Sequence, residues 1–499
     1  MKHLWVYFLW LIWIVPSLFV ACDGWDEHYS TDPNLRLTFS KDTLSFDTVF
    51  TTIGSATKKF MIYNKNKESM NIQSIMLASG GESGFRLNVD GRKGDYFDNI
   101  GILGEDSMFV FVEVTVDPLA SNQPLLVQDS VVFMTNAGKQ SVLLEAYGQN
   151  VHIYKGGWDI THDTTWTADL PHLVYDSIRV ASGVTLTIDS GTTLYMHDKA
   201  NLIVSGTLRS CGTLKKPVTI RGDRLDFVLE NVLPYDRTPG QWGGIFFTSE
   251  SKGSVLDYTI VRNATTGITI EADAPDEEKL TVRDCQFTNM KENVFTSVNS
   301  KVNIVNTEIS NGGGAVVTLA GGEYQFIHCT LVNYMRLIKR DAACLALANV
   351  YPLASGDLKS TPLKVRFDNC IIDGSYGAGN SNGGGEVAVS FTDEAAADYF
   401  FNHCVIATTA GSAEHFNETL FVTDSEQPVY RKLGGEVNCY QFDFRPDTAS
   451  SLGVGSADPA VAAKYPHDRL GVSRIEGSTA PSIGAYEYVD KEKKEQLKE

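Results

Sequence analysis

The feature that most limits the fold of this chain is a polar residue recurring every 22 positions. In DCQFTN, NTEISN and HCTLVN the leading residues are Asp284, Asn306 and His328, and the closing ones are Asn289, Asn311 and Asn333. Apolar residues stand two and four before each leader (Leu280 and Val282, Val302 and Ile304, Tyr324 and Phe326) but at odd offsets after it. Side chains along one strand alternate strictly, so no single strand accommodates that change of parity. The leader therefore stands at a corner, and Asp, Asn and His are the non-glycine residues most enriched at positive φ. The unit recurs at Asp257-Tyr258, Asn369-Cys370 and His403-Cys404, with Asn438-Cys439 a weak last member. The predicted bend column is thus Asp257, Asp284, Asn306, His328, Asn369 and His403. A coil of 22 residues cannot bury its apolar face alone, whereas stacked coils share one core, with strands about 4.8 Å apart. GVTLTIDSGTTL at 183–194 reads as the first full coil of such a solenoid.

Upstream the rhythm differs. From Leu35 to Val151 short strands alternate with polar turns, as in SMFVFVEVTV, where Met108, Val110, Val112, Val114 and Val116 share a face. That pattern predicts a β-sandwich over 35–151, with a linker at 156–171 and the solenoid over 172–489. Helix-period runs are scarce, Gly (43) and aromatic residues are plentiful, and the class is all-β. The formal charge of −19 sets the surface against DNA, RNA and anionic lipid, so no nucleic-acid partner is expected.

The start of the chain points outward. Lys2 precedes the apolar run Leu4–Val15, Pro16-Ser17 breaks it, and Cys22 follows Val20-Ala21. Residues 1–21 read as a signal peptide, with an uncleaved anchor as the other reading. The segment ending at Cys22 resembles the lipobox of bacterial lipoproteins, although Phe19 stands where Leu is usual. The resemblance implies a lipidated Cys22 and an acidic tether over 22–34; a plain secretory peptide with a chance Cys is the alternative. TLTIDSGTTLYMHDKANLIVSGTLRSCGT, PGQWGGIFF, and DRLGVSR with PSIGAYEY near the end make the chain similar to Bacteroidetes-type surface lipoproteins. In that family an immunoglobulin-like module precedes a right-handed parallel β-helix, and the GAYEY ending is a terminal cap before the charged tail 490–499. The resemblance implies an outer-membrane, outward-facing location reached through the lipid alone, and it is specific for fold, not for activity.

Seven cysteines remain after Cys22, an odd number, so complete pairing is impossible. Cys285, Cys329, Cys370 and Cys404 follow the bend and should point inward as small apolar fillers. A pairing of Cys370 with Cys404 stays open. His328 and His403 share the bend column with carboxylates and amides, which suggests a metal row, but the corner explains the same residue types. No HxH, HExxH or CxxC spacing exists, and no metal or cofactor is expected. Polygalacturonase-like sites resemble a set with Asp-Asp, Gly-His-Gly and Arg-Ile-Lys, of which Arg336-Leu337-Ile338-Lys339 only echoes the last. Pectate lyases carry Arg-x-Pro-x-x-Arg; here Arg237-Thr238-Pro239 is followed by Trp242 at the second Arg position.

Four segments exceed the repeat, at 222–241, 341–362, 374–386 and 409–434, and loops carry function. The first gathers Asp223, Arg224, Asp226, Tyr235 and Arg237 ahead of Trp242, a set able to hydrogen-bond sugar hydroxyls and stack on a ring. The other reading is a salt-bridged loop. YMRLIKRDAAC places Arg336, Lys339 and Arg340 together as the best basic patch for an acidic glycan, or as a solvated edge. Two functions follow: a non-catalytic scaffold for a glycan, matrix or envelope partner, or a polysaccharide lyase or glycoside hydrolase with its site among the insertions. The ladder Asp284, Asn306, His328, Asn369, His403, Asn289, Asn311 and Asn333 is assigned to structure.

Overall fold

The computed structural model describes residues 28–490 apart from 119–121, 231, 273, 353–356, 380–384, 393–395, 410–412, 424, 436–437 and 477–479. The predicted signal peptide, Cys22, the tether to residue 27 and the tail beyond residue 490 lie outside the described residues. Contacts divide the chain into two units, one ending at Asn150 and one beginning at Val151.

In the first unit, period-two strands form two five-stranded sheets. One holds Thr38–Phe39, Lys58–Tyr63, Ser107–Val114, Phe85–Val89 and Arg92–Gly94 in that order. The other holds Thr43–Phe50, Gly138–Gln149, Leu125–Thr135, Met70–Leu77 and Tyr96–Ile102. All pairs are antiparallel except Thr43–Phe50, which runs parallel to Gly138–Gln149. The inward positions make one core in which Val110, Val112, Val114 and Val116 are buried and Met108 packs partly exposed at the edge. Phe60 meets Phe133 edge-on at 6.2 Å across the sheets, and Phe46 meets Phe85 at 5.8 Å. Each such side chain contributes about 1.5–3 kcal/mol on burial.

The second unit is a parallel β-helix. An 11-stranded sheet forms one wall; a 17-stranded sheet forms the other two, because strands such as Phe295–Val305 and Val317–Ile327 run through both. Asn299 (φ 47°) marks the bend within the first of these. The stack begins earlier than expected: His152–Tyr154 pairs in parallel with His172–Val174, so the presumed linker 156–171 is part of the first coil. The mistake has a plain cause, since that coil carries aromatic residues where later ones carry aliphatic residues. Trp166 stacks on His172 at 4.6 Å, and Tyr154 lies 5.0 Å from Trp166. Burial holds His172 down at about 4, so its neutral ring accepts the Tyr154 hydroxyl at 3.0 Å and donates to Thr167 O at 3.2 Å.

Corner geometry follows from the backbone. Asp284, Asn306, His328, Asn369 and His403 take φ of 56°, 48°, 50°, 54° and 48°. Asp257 does not stand in this column. It ends strand Ser254–Asp257 beside Arg283, and Tyr258 takes the bend at φ 40°. At the second corner Asn289 (64°) and Asn311 (57°) are joined by Asn263 (68°), whereas Asn333 keeps an ordinary φ and works through its amide, donating to Gly312 O at 3.0 Å. Behind the first corner lies an inner column of Thr and Cys. Cys285 N donates to Thr307 Oγ1, and Cys329 N to Cys370 Sγ. Cys370 and Cys404 are free thiols, each directed at main-chain carbonyls 3.3–3.4 Å away. Deeper in, Phe326, Phe367, Phe401 and Phe416 stack face to face at 4.9, 4.8 and 5.3 Å, the spacing of the coils themselves.

The GAYEY ending does not close an end of the stack. Residues 456–476 and 480–487 lie lengthwise along the first corner as a strap. Ser456 O meets His403 Nδ1 at 3.1 Å, Asp458 N donates to Asn369 Oδ1 at 2.7 Å, and Asn306 Nδ2 donates to His467 O at 2.9 Å. Gly484, at φ 100°, sits so close that a Cβ there would fall 2.8 Å from Ile371 and from Thr330. Tyr486 donates its hydroxyl to the buried Glu308, and Glu487 pairs with the fully buried Arg474 at 2.7 Å.

Candidate functional site

The first long insertion leaves the 11-stranded wall after Val218–Gly222 and returns at Trp242. Its charges are spent on holding it down. Outward-facing Arg221 and Arg262 come from adjacent coils, and both reach Asp236 Oδ1 at 2.8 Å. Burial lowers the Arg262 guanidinium and Asp236 counteracts it. Arg224 grips Asp226 through two bonds of 2.8 and 2.6 Å and lies 4.1 Å over the Tyr235 ring. Asp223 is raised by burial, opposed by His197, whose Nδ1 lies 2.7 Å from it. Arg237 is exposed, and its carbonyl accepts from Asn289 Nδ2 at 2.7 Å. Trp242 is not a stacking platform: it is fully buried in the helix core and donates Nε1–H to Arg262 O at 2.9 Å. A ring that enters a strand through a Gly-Gly pair fills the core and leaves no face for a sugar.

The basic patch likewise comes apart. Arg336 and Lys339 face solvent, but Arg340 is buried. Its guanidinium pairs with Glu386 at 2.6 Å, donates to Asn333 O and Ser375 Oγ at 2.6 and 2.8 Å, and packs 4.1 Å from the Tyr376 ring. Glu386 in turn accepts from Cys344 N and Tyr376 N. Arg340 therefore fastens two insertions to each other and is unavailable to a glycan. Nearby Asp373 is pushed up to about 6 by burial, although the Tyr334 and Tyr430 hydroxyls donate to it at 2.7 and 2.9 Å.

The ladder residues of the first corner lie beneath the strap, whereas Asn289, Asn311 and Asn333 stand at the second. His328 and Asn369 are fully buried, with Asn369 Nδ2 3.1 Å from His328 Nε2. Burial first, and Arg474 second, hold His328 far below its ordinary value. Asp284 is raised to about 6 by burial, eased by its bond with Asn306. Among the described residues, no three His, Cys, Asp or Glu side chains are grouped to hold a metal ion.

What reading the residues missed is apolar. Within the first insertion, Phe227–Leu229 and Leu233–Pro234 pair as a hairpin, a finger that leaves Phe227, Val228, Leu229 and Val232 37, 41, 57 and 50% exposed. FVLENVLP is a hairpin signature in the sequence, two apolar runs separated by polar residues, eclipsed here by the surrounding charges. On one flat wall, register also aligns Asn303, Gln325, Arg366 and Phe400 on successive coils.

A family model described as a right-handed β-helix region matches residues 173–331, which gives the winding its hand. No curated protein matches the chain. Solved structures similar to parts of it include the E. coli chaperone DraB, at 12% identity and TM-score 0.17, covering 23% of this chain and 55% of that one. A family 123 glycoside hydrolase from Clostridium perfringens matches at 7% identity and TM-score 0.17, covering 24% and 30%. The catalytic domain of a GH87 α-1,3-glucanase matches at 8% identity and TM-score 0.22, covering 73% and 88%. The chain thus spans about half and a third of the first two, and scores this low carry no argument about chemistry.

Proposed function

We propose that this is a surface-exposed lipoprotein of the cell envelope, tethered through Cys22, whose β-helix is a non-catalytic scaffold for a binding partner. The observation that carries the reading is the finger. Four apolar side chains stand in solvent on a short hairpin whose base is fastened by Asp236 to Arg221 and Arg262 and by Arg224 to Asp226. A contiguous exposed apolar feature on a rigid base is the mark of a protein–protein contact. A matrix or envelope protein is therefore favoured over a glycan on this unit. Asp223, Asp226 and Asp236 are each paired with a cation or His197, while Asp373 and Glu386 are buried, so these five carboxylates do not stand open to a sugar.

Two experiments test this. Cys22→Ser should move the protein from the membrane to the soluble fraction; unchanged, lipid-free anchoring would refute the tether. Phe227→Ser with Leu229→Ser should leave the melting temperature within about 2 °C, because both side chains are already in water. The same variant should abolish cross-linking of the protein to its neighbours on intact cells. Depolymerisation of any polysaccharide by the purified chain would replace the scaffold with an enzyme.

A further inference from the structure

The sandwich carries a cavity of its own. On the outer face of the sheet containing Ser107–Val114 and Phe85–Val89, a cleft of about 740 Å³ is lined by Phe111, Arg86, Asn88, Lys93, Asp95 and Glu113, among others. Register explains how it arises. Lys59, Phe111, Asn88 and Lys93 lie side by side across four strands, and Arg86 lies opposite Glu113 in the next row. These positions alternate with the buried Phe85, Leu87, Val110 and Val112, so every one of them faces outward.

The chemistry of this wall is unusual for a spacer. Phe109 and Phe111 are 40 and 37% exposed and 5.9 Å apart, with the Lys59 ammonium 4.4 Å over Phe109. Among the described residues, Lys59, Arg86 and Lys93 form no ion pair. Asn88 Oδ1 is shut off from water without a hydrogen-bond partner. Glu113, which lines the cleft, accepts from Thr57 Oγ1 at 2.7 Å.

We infer that this cleft binds a neutral oligosaccharide. Charged groups of both signs, Arg86 and Lys93 against Glu113 and Asp95, supply donors and acceptors in balance, which suits vicinal hydroxyls better than a fixed anion. The Phe111 ring offers an apolar face to a pyranose, and the volume lies within the range of small-ligand sites, about 300–1,000 Å³. A peptide is the weaker fit. The strands that floor the cleft, Phe85–Val89 and Ser107–Val114, have their main-chain groups bonded to neighbours on both sides, so only the three-residue edge strand Arg92–Gly94 is left for a peptide backbone to extend.

The test is calorimetry of the detergent-solubilised full chain with cellotetraose, maltotetraose, laminaritetraose and xylotetraose. Tetragalacturonate and an acidic tetrapeptide serve as competitors. At least one neutral tetraose should bind, and Phe111→Ser and Asn88→Leu should each weaken it at least tenfold while the melting temperature holds. Lys93→Gln, at an exposed position, provides a second readout should Asn88→Leu fail to fold. The finger variant should bind the sugar as the parent does, which keeps this site independent of the scaffold reading. Absence of neutral tetraose binding, binding indifferent to Phe111, or capture of only the galacturonate or the peptide would each overturn the inference.

Discussion

Asn311 meets two demands with one side chain. It holds φ at 57°, and its Oδ1 accepts from Tyr334 N at 2.9 Å while only 2% exposed. Asn311→Val would strain a β-branched residue at positive φ and orphan a buried N–H, for a combined loss of about 2–5 kcal/mol in urea denaturation. Asn311→Gly relaxes the backbone and loses only the bond, so it should cost about 1–2 kcal/mol. Equal losses for the two variants would remove backbone strain from the account, and tetraose binding should be untouched by either. This column was legible because its side chains answer a local backbone requirement. Tyr258 and Glu418 take the same bend at φ 40° and 44°, but Tyr and Glu are not residues that announce it. Trp242 and Arg340 misled for another reason: an indole or a guanidinium serves a core or a ligand equally well, and only neighbours distant in the chain decide.

At the scale of elements, the strap is where sequence reading stopped. Arg474 donates to Asn306 across 168 positions, to Gly484 O, and to Glu487, and nothing local in SRIEGS or GAYEY states those pairings. Burial lowers Arg474 and raises Glu487, each opposed by the other. Arg474→Ala would leave the buried Glu487 carboxylate without its cation, with the Ser482 N–H as a remaining partner, a loss of about 3–5 kcal/mol. Hydrogen exchange should quicken through 456–476 and 480–488 and at the corner amides of Asn306 and Asn369, with the sandwich unchanged. A loss below about 1 kcal/mol, or exchange confined to residue 474, would mean the strap is held elsewhere. The insertions were legible as departures from the repeat. That their charges face one another, and that the apolar finger is what remains, depended on Arg221 and Arg262 becoming neighbours only when coils stack. The cleft in the sandwich was invisible for the same reason, its row being assembled from four separated strands.

For the whole molecule, buried acids and buried histidines pull stability in opposite directions with pH. Asp373, raised to about 6, keeps its proton in the folded state between about pH 4 and 6, where the unfolded chain has released it. Its contribution is therefore complete below about 4 and is lost as pH rises through 6. His172, held at about 4, works the other way across the same window. The clean measurement is a difference: the stability of the parent minus that of Asp373→Asn should fall by up to roughly 3 kcal/mol between pH 4 and pH 7. A difference independent of pH would show that Asp373 titrates normally. The strap has a consequence for how the chain comes to be finished. The ribosome delivers a protein from its beginning, so each coil can stack on its predecessor as it emerges, yet the row of amides and imidazoles along the corner stays wet until the strap arrives. A molecule stalled short of that stretch would hold its shape loosely with an unzipped side, and a protease could tell a complete copy from an interrupted one.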